Sequence, residues 1–328
     1  MLTYQVDQRT VRSAIELASR APSVHNSQPW HWTLDRGLVH LDADLTHWLP
    51  VTDADGRDLT VSCGAALHHL RVALAAAGIR AVVHRIPNPG EPDRLATLEL
   101  KNGTPTEADL ELAAAIARRR TDRRPFSDWQ IPEDSQRELE SAAIGQGGIL
   151  RMINSGGPRA ALLEAIREAD AHQADIPGYG AELATWSGRQ AGDDGVPAAN
   201  LLHGKAAAAV PAARRFPAGD LGPYAAGRTD GATLAVLGTA SDDTLCRLRA
   251  GEALSAVLLT AATLGLATCP LSQPLEIGST RLVLRDDVLD GTLSPQLILR
   301  LGWPPVGPSL PATHRRPFAD TATVEPER

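Results

Sequence analysis

The chain has 328 residues, 43% hydrophobic and 22% charged, with a formal net charge of -7; this suits a globular fold of about two domains with a sizeable core. The acidic balance gives no electrostatic reason to expect nucleic acid or an anionic membrane as partner. Cys63, Cys246 and Cys269 lack CxxC or Cys/His ligand spacing, so neither a disulfide framework nor a metal site is expected.

Asp7, Arg9, Arg12, Glu16 and Arg20 exclude the apolar core of a signal peptide, and a cytoplasmic protein is expected. Apolar residues at 11, 14, 15 and 18 predict a helix closed by Pro22. Trp30 to Leu34 and Val39 to Leu41 flank Asp35-Arg36-Gly37 and read as a hairpin. A second helix runs through Ala66, Leu67, Leu70, Ala73, Leu74 and Ala77 to a stop at Gly78, and Leu95 to Leu100 forms the next strand.

Further helices are expected over Glu107 to Arg118 and Glu133 to Ala143, with a late strand over Gln296 to Leu301. The uncharged stretch Ala253 to Leu275 is broken by Gly265, Pro270 and Pro274, too early for the roughly 20 apolar residues of a membrane span. It reads as a buried helix. Helices with scattered strands indicate an α+β fold.

The same helix repeats at an offset of 187 residues: Gly64 aligns with Gly251, Ala66 with Ala253, Leu67 with Leu254, Ala75 with Ala262 and Gly78 with Gly265. Any two Ala/Leu-rich helices look alike, but the glycines paired at both ends favour a duplication. Two halves are expected, 1–105 and 106–328. The second carries an insertion at about 178–228, in which Tyr179, Trp186, Leu201, Leu202, Phe216 and Tyr224 are too apolar for a solvated linker and suggest a lid.

Three segments carry polar chemistry. Ala21-Pro22-Ser23-Val24-His25-Asn26-Ser27-Gln28-Pro29-Trp30 sets hydroxyl and carboxamide groups between two prolines; by chemistry alone it is either a ligand loop or a capped turn anchored by Trp30. Arg118 to Arg124 holds five arginines among seven residues, which suits a phosphate monoester or a solvated basic turn. His314-Arg315-Arg316-Pro317-Phe318 could close on the same anion. Gly178-Tyr179-Gly180 lacks the third glycine of a dinucleotide fingerprint, no phosphate-loop motif surrounds Lys205, and the adjacent His68 and His69 point to different helix faces.

Together these segments resemble the nitroreductase superfamily, with its APSxxNxQPW loop and Arg-rich turn, and the duplicated, one-site pattern is similar to the Acg-type family of nitroreductase-like flavoproteins. The resemblance implies a nitroreductase-like fold whose two fused halves mimic the usual homodimer, so a monomer is expected. It implies FMN as cofactor. Arg119, Arg120, Thr121 and Arg123 would meet the phosphate, ribityl chain and pyrimidine ring, with Arg315 and Arg316 completing the phosphate pocket and Pro22, Ser23, Asn26 and Gln28 coming from the other half. Pro270, Leu271 and Ser272 would form the flavin-edge loop, although the family's Pro-x-Glu-Gly is replaced by Pro270-Leu271-Ser272-Gln273-Pro274.

The position matching the Pro-Ser-Asn-Gln loop in the second half reads Ala143-Ile144-Gly145-Gln146-Gly147-Gly148, so one flavin per chain is expected. The implied activity is NAD(P)H-dependent reduction of nitro compounds, quinones or another small electron acceptor, with no side-chain acid or base assigned. The alternative is a flavin-holding protein without turnover, its site covered by the lid.

Overall fold

The computed structural model describes residues 7–189, 192–202, 204–208, 210–221 and 230–326, with only the backbone at 205 and 206. Parts of the expected insertion, including Tyr224, lie outside the described residues. Helix α1 (Gln8–Ala18) is capped by Asp7, whose carboxylate accepts from the Arg9 and Thr10 amides, and it buries Val11, Ala14, Ile15 and Ala18. The hairpin β1 (Trp30–Asp35) and β2 (Leu38–Ala43) turns through Arg36 and Gly37, both at positive φ, as a two-residue turn matched to strand twist requires.

Helix α2 (Arg57–Ala76) starts where the Asp53 carboxylate accepts from the Asp58 and Leu59 amides. It ends in the left-handed Gly78. Strands β3 (Ile79–Arg85) and β4 (Arg94–Asn102) complete the first half. Then come α3 (Glu107–Arg118), α4 (Glu133–Ile144), β5 (Ile149–Ile153) and α5 (Gly156–Ala174).

The insertion contributes α6 (Tyr179–Thr185), the short strands β6 (Ser187–Arg189) and β7 (Val196–Pro197), and α7 (Gly204–Ala208). The chain continues through β8 (Thr233–Thr239), α8 (Thr244–Thr263), β9 (Ala267–Leu271), α9 (Gly278–Val283), β10 (Ser294–Gly302), α10 (Phe318–Thr321) and β11 (Ala322–Val324).

The strands form two principal sheets, one ordered β11-β1-β2-β4-β3 and the other β5-β8-β10-β9. This is the α+β architecture expected. The last strand leaves the second half to pair in parallel with β1, Trp32 opposite Ala322. Pro270 is tolerated because β9 lies at a sheet edge, where a missing ladder donor costs little. Strands β3, β5 and β8 carry no clear alternation in the sequence, and α5 has a weak apolar stripe; each is held by packing rather than pattern.

Helices α2 and α8 lie against each other, with nearly every residue of α2 and the Ala250–Leu259 stretch of α8 buried. Helix α2 also has the length and hydropathy of a membrane span, but most of it is buried within the fold. A Cβ on Gly64 would lie 2.0 Å from the Leu248 carbonyl oxygen and one on Gly251 2.0 Å from that of Val61, so only glycine permits this approach. Four residues beyond, His68 Nδ1 and His69 Nδ1 each lie 2.7 Å from Ser255 Oγ, and burial keeps both imidazoles uncharged. The fully buried Glu252 is matched by Arg71 and Arg85 at 2.7 and 2.6 Å, which fastens α8 to the first half.

Gly251→Ala should therefore lower stability by about 1–3 kcal/mol or more through overpacking. Gly157→Ala, at an open helical position, should be neutral or stabilising by about 0.5–1 kcal/mol. Urea denaturation of the two variants measures the difference; equal stabilities would mean that the helix crossing yields to a methyl group.

Candidate functional site

The Pro22–Trp30 loop leaves α1 and passes beside the N-terminal half of α2, where the Val24 amide donates to Ser62 Oγ at 3.1 Å. The basic turn follows α3 and is drawn to the same place by β9: Thr121 bridges Thr268, and the Asp122 amide donates to the Thr268 carbonyl at 2.8 Å. The C-terminal segment returns across both. Two adjoining cavities result, sharing Pro22, Ser23, Thr121 and Arg123.

The first cavity is walled by Arg20, Arg119, Arg120, Arg123 and Arg315, with Ser23, Asn26, Thr121, Asn200 and Thr313, and no carboxylate. The guanidinium groups donate to backbone carbonyls. Arg119 Nη2 and Arg315 Nη2 both reach the Arg20 oxygen at 3.1 Å; Arg120 Nη1 reaches the Ala117 and Arg119 oxygens at 2.8 Å.

Buried Arg119 Nε and Nη1, and Arg315 Nε, have no partner. Burial, then the positive Arg120 and Arg20 nearby, pulls Arg119 down to about 10, and burial with Arg119, Arg20 and Arg120 lowers Arg315 as well. Elsewhere buried arginines are paired: Arg124 with Asp122 at 2.6 Å, Arg300 with Asp230 at 2.8 Å. Buried cations with unsatisfied donors and no counter-charge among the described residues carry a cost that an anion would relieve.

The second cavity is largely apolar. Val61 from α2, Leu254 from α8, Leu297 from β10 and the Pro270-Leu271 edge form its walls, with His25, Asp58, Ser62, Cys269, Ser272 and Arg214 as polar points. Its floor lies beside the Gly64–Gly251 crossing.

The insertion lies against both cavities. Asn26 Nδ2 donates to the Gly195 oxygen at 2.9 Å and Gln28 Nε2 to that of Asp193 at 2.8 Å. Arg214 inserts to pair with the buried Glu276 and donates to Tyr179 Oη at 2.7 Å. Ser272 Oγ donates to the same Glu276 carboxylate at 2.7 Å. Burial, with Asp58 nearby, raises that carboxyl to about 7 against the pull of Arg214. Phe216 stands under the Arg123 guanidinium at 5.3 Å.

Pro22, Ser23, Asn26, Arg119, Arg120, Thr121, Arg123 and Arg315 thus meet at the first cavity, and Pro270, Leu271 and Ser272 at the second. Gln28 and Arg316 line neither cavity. The Arg316 guanidinium is held by Asp44 and the Gln28 carbonyl, both at 3.0 Å, and its amide donates to Gln28 Oε1 at 2.9 Å. These two residues brace the loop.

Sequence reasoning missed Arg20, His25, Asp58, Asn200, Arg214 and Phe216. Arg20, which ends the first helix just before the motif, and Arg214-Arg215-Phe216 inside the insertion were readable signals. Asp58 carried none. Among the described residues no group of His, Cys, Asp and Glu could hold a metal ion.

No family model matches the chain. It is 42% identical over 320 residues to the Mycobacterium tuberculosis protein named "Putative NAD(P)H nitroreductase Rv3131", covering 96% of this chain and 92% of that one. It is 36% identical over 324 residues to "Putative NAD(P)H nitroreductase acg" of the same organism, covering 96% and 95%. Among solved structures, the FMN-bound nitroreductase of Bacteroides fragilis aligns with a TM-score of 0.41 at 15% identity, over 63% of this chain and 95% of that one. NfnB of Mycobacterium smegmatis in complex with NADPH aligns with a TM-score of 0.39 at 19% identity, over 66% and 100%. The chain belongs to the Acg-type family of nitroreductase-like proteins.

The unpaired arginines generate a stability prediction. Arg119→Met removes a desolvated cation without opening a large void, so the ligand-free protein should gain about 1–2 kcal/mol. Arg20's oxygen keeps its bond from Arg315. Thermal denaturation without added anion tests this; a variant less stable than the parent would show that Arg119 is a structural staple.

Proposed function

We propose that the two cavities form one FMN site, the arginine-lined cavity taking the phosphate and the apolar one the isoalloxazine ring. The observation that carries this reading is the set of buried Arg119 and Arg315 nitrogens without partners, opening beside an apolar chamber. A terminal phosphate monoester supplies the missing acceptors, and a planar ring suits walls built from Val61, Leu254, Leu297 and Pro270. When bound, the flavin would supply reversible hydride exchange. The chain's residues bind it, orient it and exclude water: Arg119, Arg120 and Arg315 hold the anion, while Pro22, Ser23 and Thr121 sit at the junction of the two cavities.

On this reading the protein is an oxidoreductase that passes electrons from NAD(P)H to a nitro compound, quinone or other small acceptor. The names of the curated relatives support it. The chain is also read as a duplication acting as a monomer. Its support is that residues matched at the repeat offset meet across the α2–α8 contact, Gly64 against Gly251 and His68 against Ser255, and that one chain supplies both walls of the site. A flavin-holding role without turnover is favoured by one feature: Arg214 and Phe216 of the insertion occupy the wall of the ring cavity and are anchored there by Glu276 and Arg123.

The purified protein should bind one FMN per chain and discriminate against FAD, whose adenylate occupies the terminal phosphate. Arg119→Ala should weaken FMN by about 1.5–3 kcal/mol, the scale of a charged hydrogen bond, and riboflavin far less. Recovery of FAD, two flavins per chain, or equal weakening of both ligands would falsify the assignment.

Access is tested separately by anaerobic reduction. Dithionite should bleach bound FMN quickly and NADPH slowly, while Phe216→Ala should speed NADPH. Fast NADPH reduction of the unaltered protein would favour the turnover reading.

A further inference from the structure

The backbone of the Pro22–Trp30 loop is uncommon. His25, Asn26 and Gln28 have φ of 45°, 57° and 53°, a region that side-chain-bearing residues rarely adopt and that clusters at ligand sites. The bends divide the side chains between two tasks. The Asn26 and Gln28 carboxamides turn to the insertion and donate to the Gly195 and Asp193 carbonyls.

The His25 ring goes to the apolar cavity instead. It is only 7% exposed, and its Nε2 is buried without a hydrogen-bond partner. Burial first, then the positive Arg214 and Arg123, holds its pKa well below the usual imidazole value, so the ring is neutral and presents one donor and one acceptor nitrogen.

Packing does not account for this arrangement. The ring meets Phe216 edge to face at 5.7 Å, a contact that a phenylalanine would make as well and that leaves Nε2 unpaired. A buried polar atom without a partner is costly, and a ligand that supplies the partner recovers that cost on binding. Of the cavity's other polar wall groups, Arg214 is committed to Glu276 and Ser62 Oγ donates to the Asp58 carbonyl, while Asp58 Oδ2 is, like His25 Nε2, buried without a partner among the described residues.

We infer that His25 is a ring-binding residue, its imidazole hydrogen-bonding a polar edge atom of the planar ligand that the apolar cavity receives. The inference rests on the FMN reading above and adds a contact that is independent of the phosphate. Arg119 reads the anion, and His25 reads the ring.

The test is titration of wild type, His25→Leu and His25→Asn with FMN and with riboflavin, followed by flavin fluorescence and visible absorption. His25→Leu should weaken both ligands by the same factor, up to about tenfold for one neutral hydrogen bond, and should shift the visible band of bound FMN. Arg119→Ala should instead separate the two ligands. Should the leucine variant not fold, His25→Asn carries the same expectation, since asparagine accepts positive φ and is too short to span the ring's position. A folded variant that binds both ligands with unchanged affinity and spectrum would overturn the role of His25 while leaving the FMN site intact. Failure of the wild type to bind FMN would reject the site itself.

Discussion

Two helix backbones meet at Gly64 and Gly251 with no room for a methyl group between them, and the site is built outward from that contact. Closeness of backbones brings the flanking turns within reach, so that Asp58, Val61 and Ser62 of α2 face Leu254 of α8 across one cavity. A wider crossing would separate the wall made by the first half from the wall made by the second. The buried Glu252, clasped by Arg71 and Arg85, resists such separation, because parting the helices would strand a charge in the interior. Packing precision here is a condition of binding, not merely of stability.

The arginines divide by partner. Arg124, Arg300, Arg316 and Arg214 each meet a carboxylate, and their positions explain themselves as structure. Among the described residues Arg119 meets a carbonyl oxygen and Arg315 carbonyl oxygens and the Thr313 hydroxyl, with no carboxylate on either and each other's repulsion nearby. A fold that could have placed an acid beside them has left the charge uncompensated, so the ligand-free state carries an electrostatic cost that an anion relieves. On the proposed reading, affinity for phosphate and instability without it would be two aspects of one arrangement.

Much of this was legible in the sequence, for identifiable reasons. The helices Glu107–Arg118 and Glu133–Ile144 were expected where they occur, the first opened by a Thr106–Asp109 capping box, and the hairpin is marked by its Arg-Gly turn. The loop and the basic turn could be read as ligand chemistry because their residue types are specific. Edge strand β9 was hidden by Pro270, and β8 by burial on both faces, which erases alternation.

A motif names residues without their directions, so it does not show that Gln28 and Arg316 bond each other. Three positive φ angles decide which side chains of the loop face the ligand, and no composition or spacing encodes them. Asp58 reaches the cavity only because α2 begins where Asp53 caps it. That is a tertiary fact.

The insertion and the ligand loop are bonded to each other, and this couples access to binding. Asn26 and Gln28 hold the carbonyls of Gly195 and Asp193, while His25, next to Asn26 in sequence, faces the apolar cavity. Displacing the insertion therefore frees the two carboxamides that keep the loop bent, and the His25 ring loses the backbone geometry that directs it. Linkage makes the relation reciprocal: by whatever factor a closed insertion tightens ligand binding, a bound ligand holds the insertion closed. An ordinary surface lid could open without disturbing its ligand. Here the same loop serves as hinge partner and as ligand wall, so a reductant entering past Phe216 must work against the bonds that hold the ligand. On the FMN reading, slow reduction and tight retention would then follow from one set of contacts.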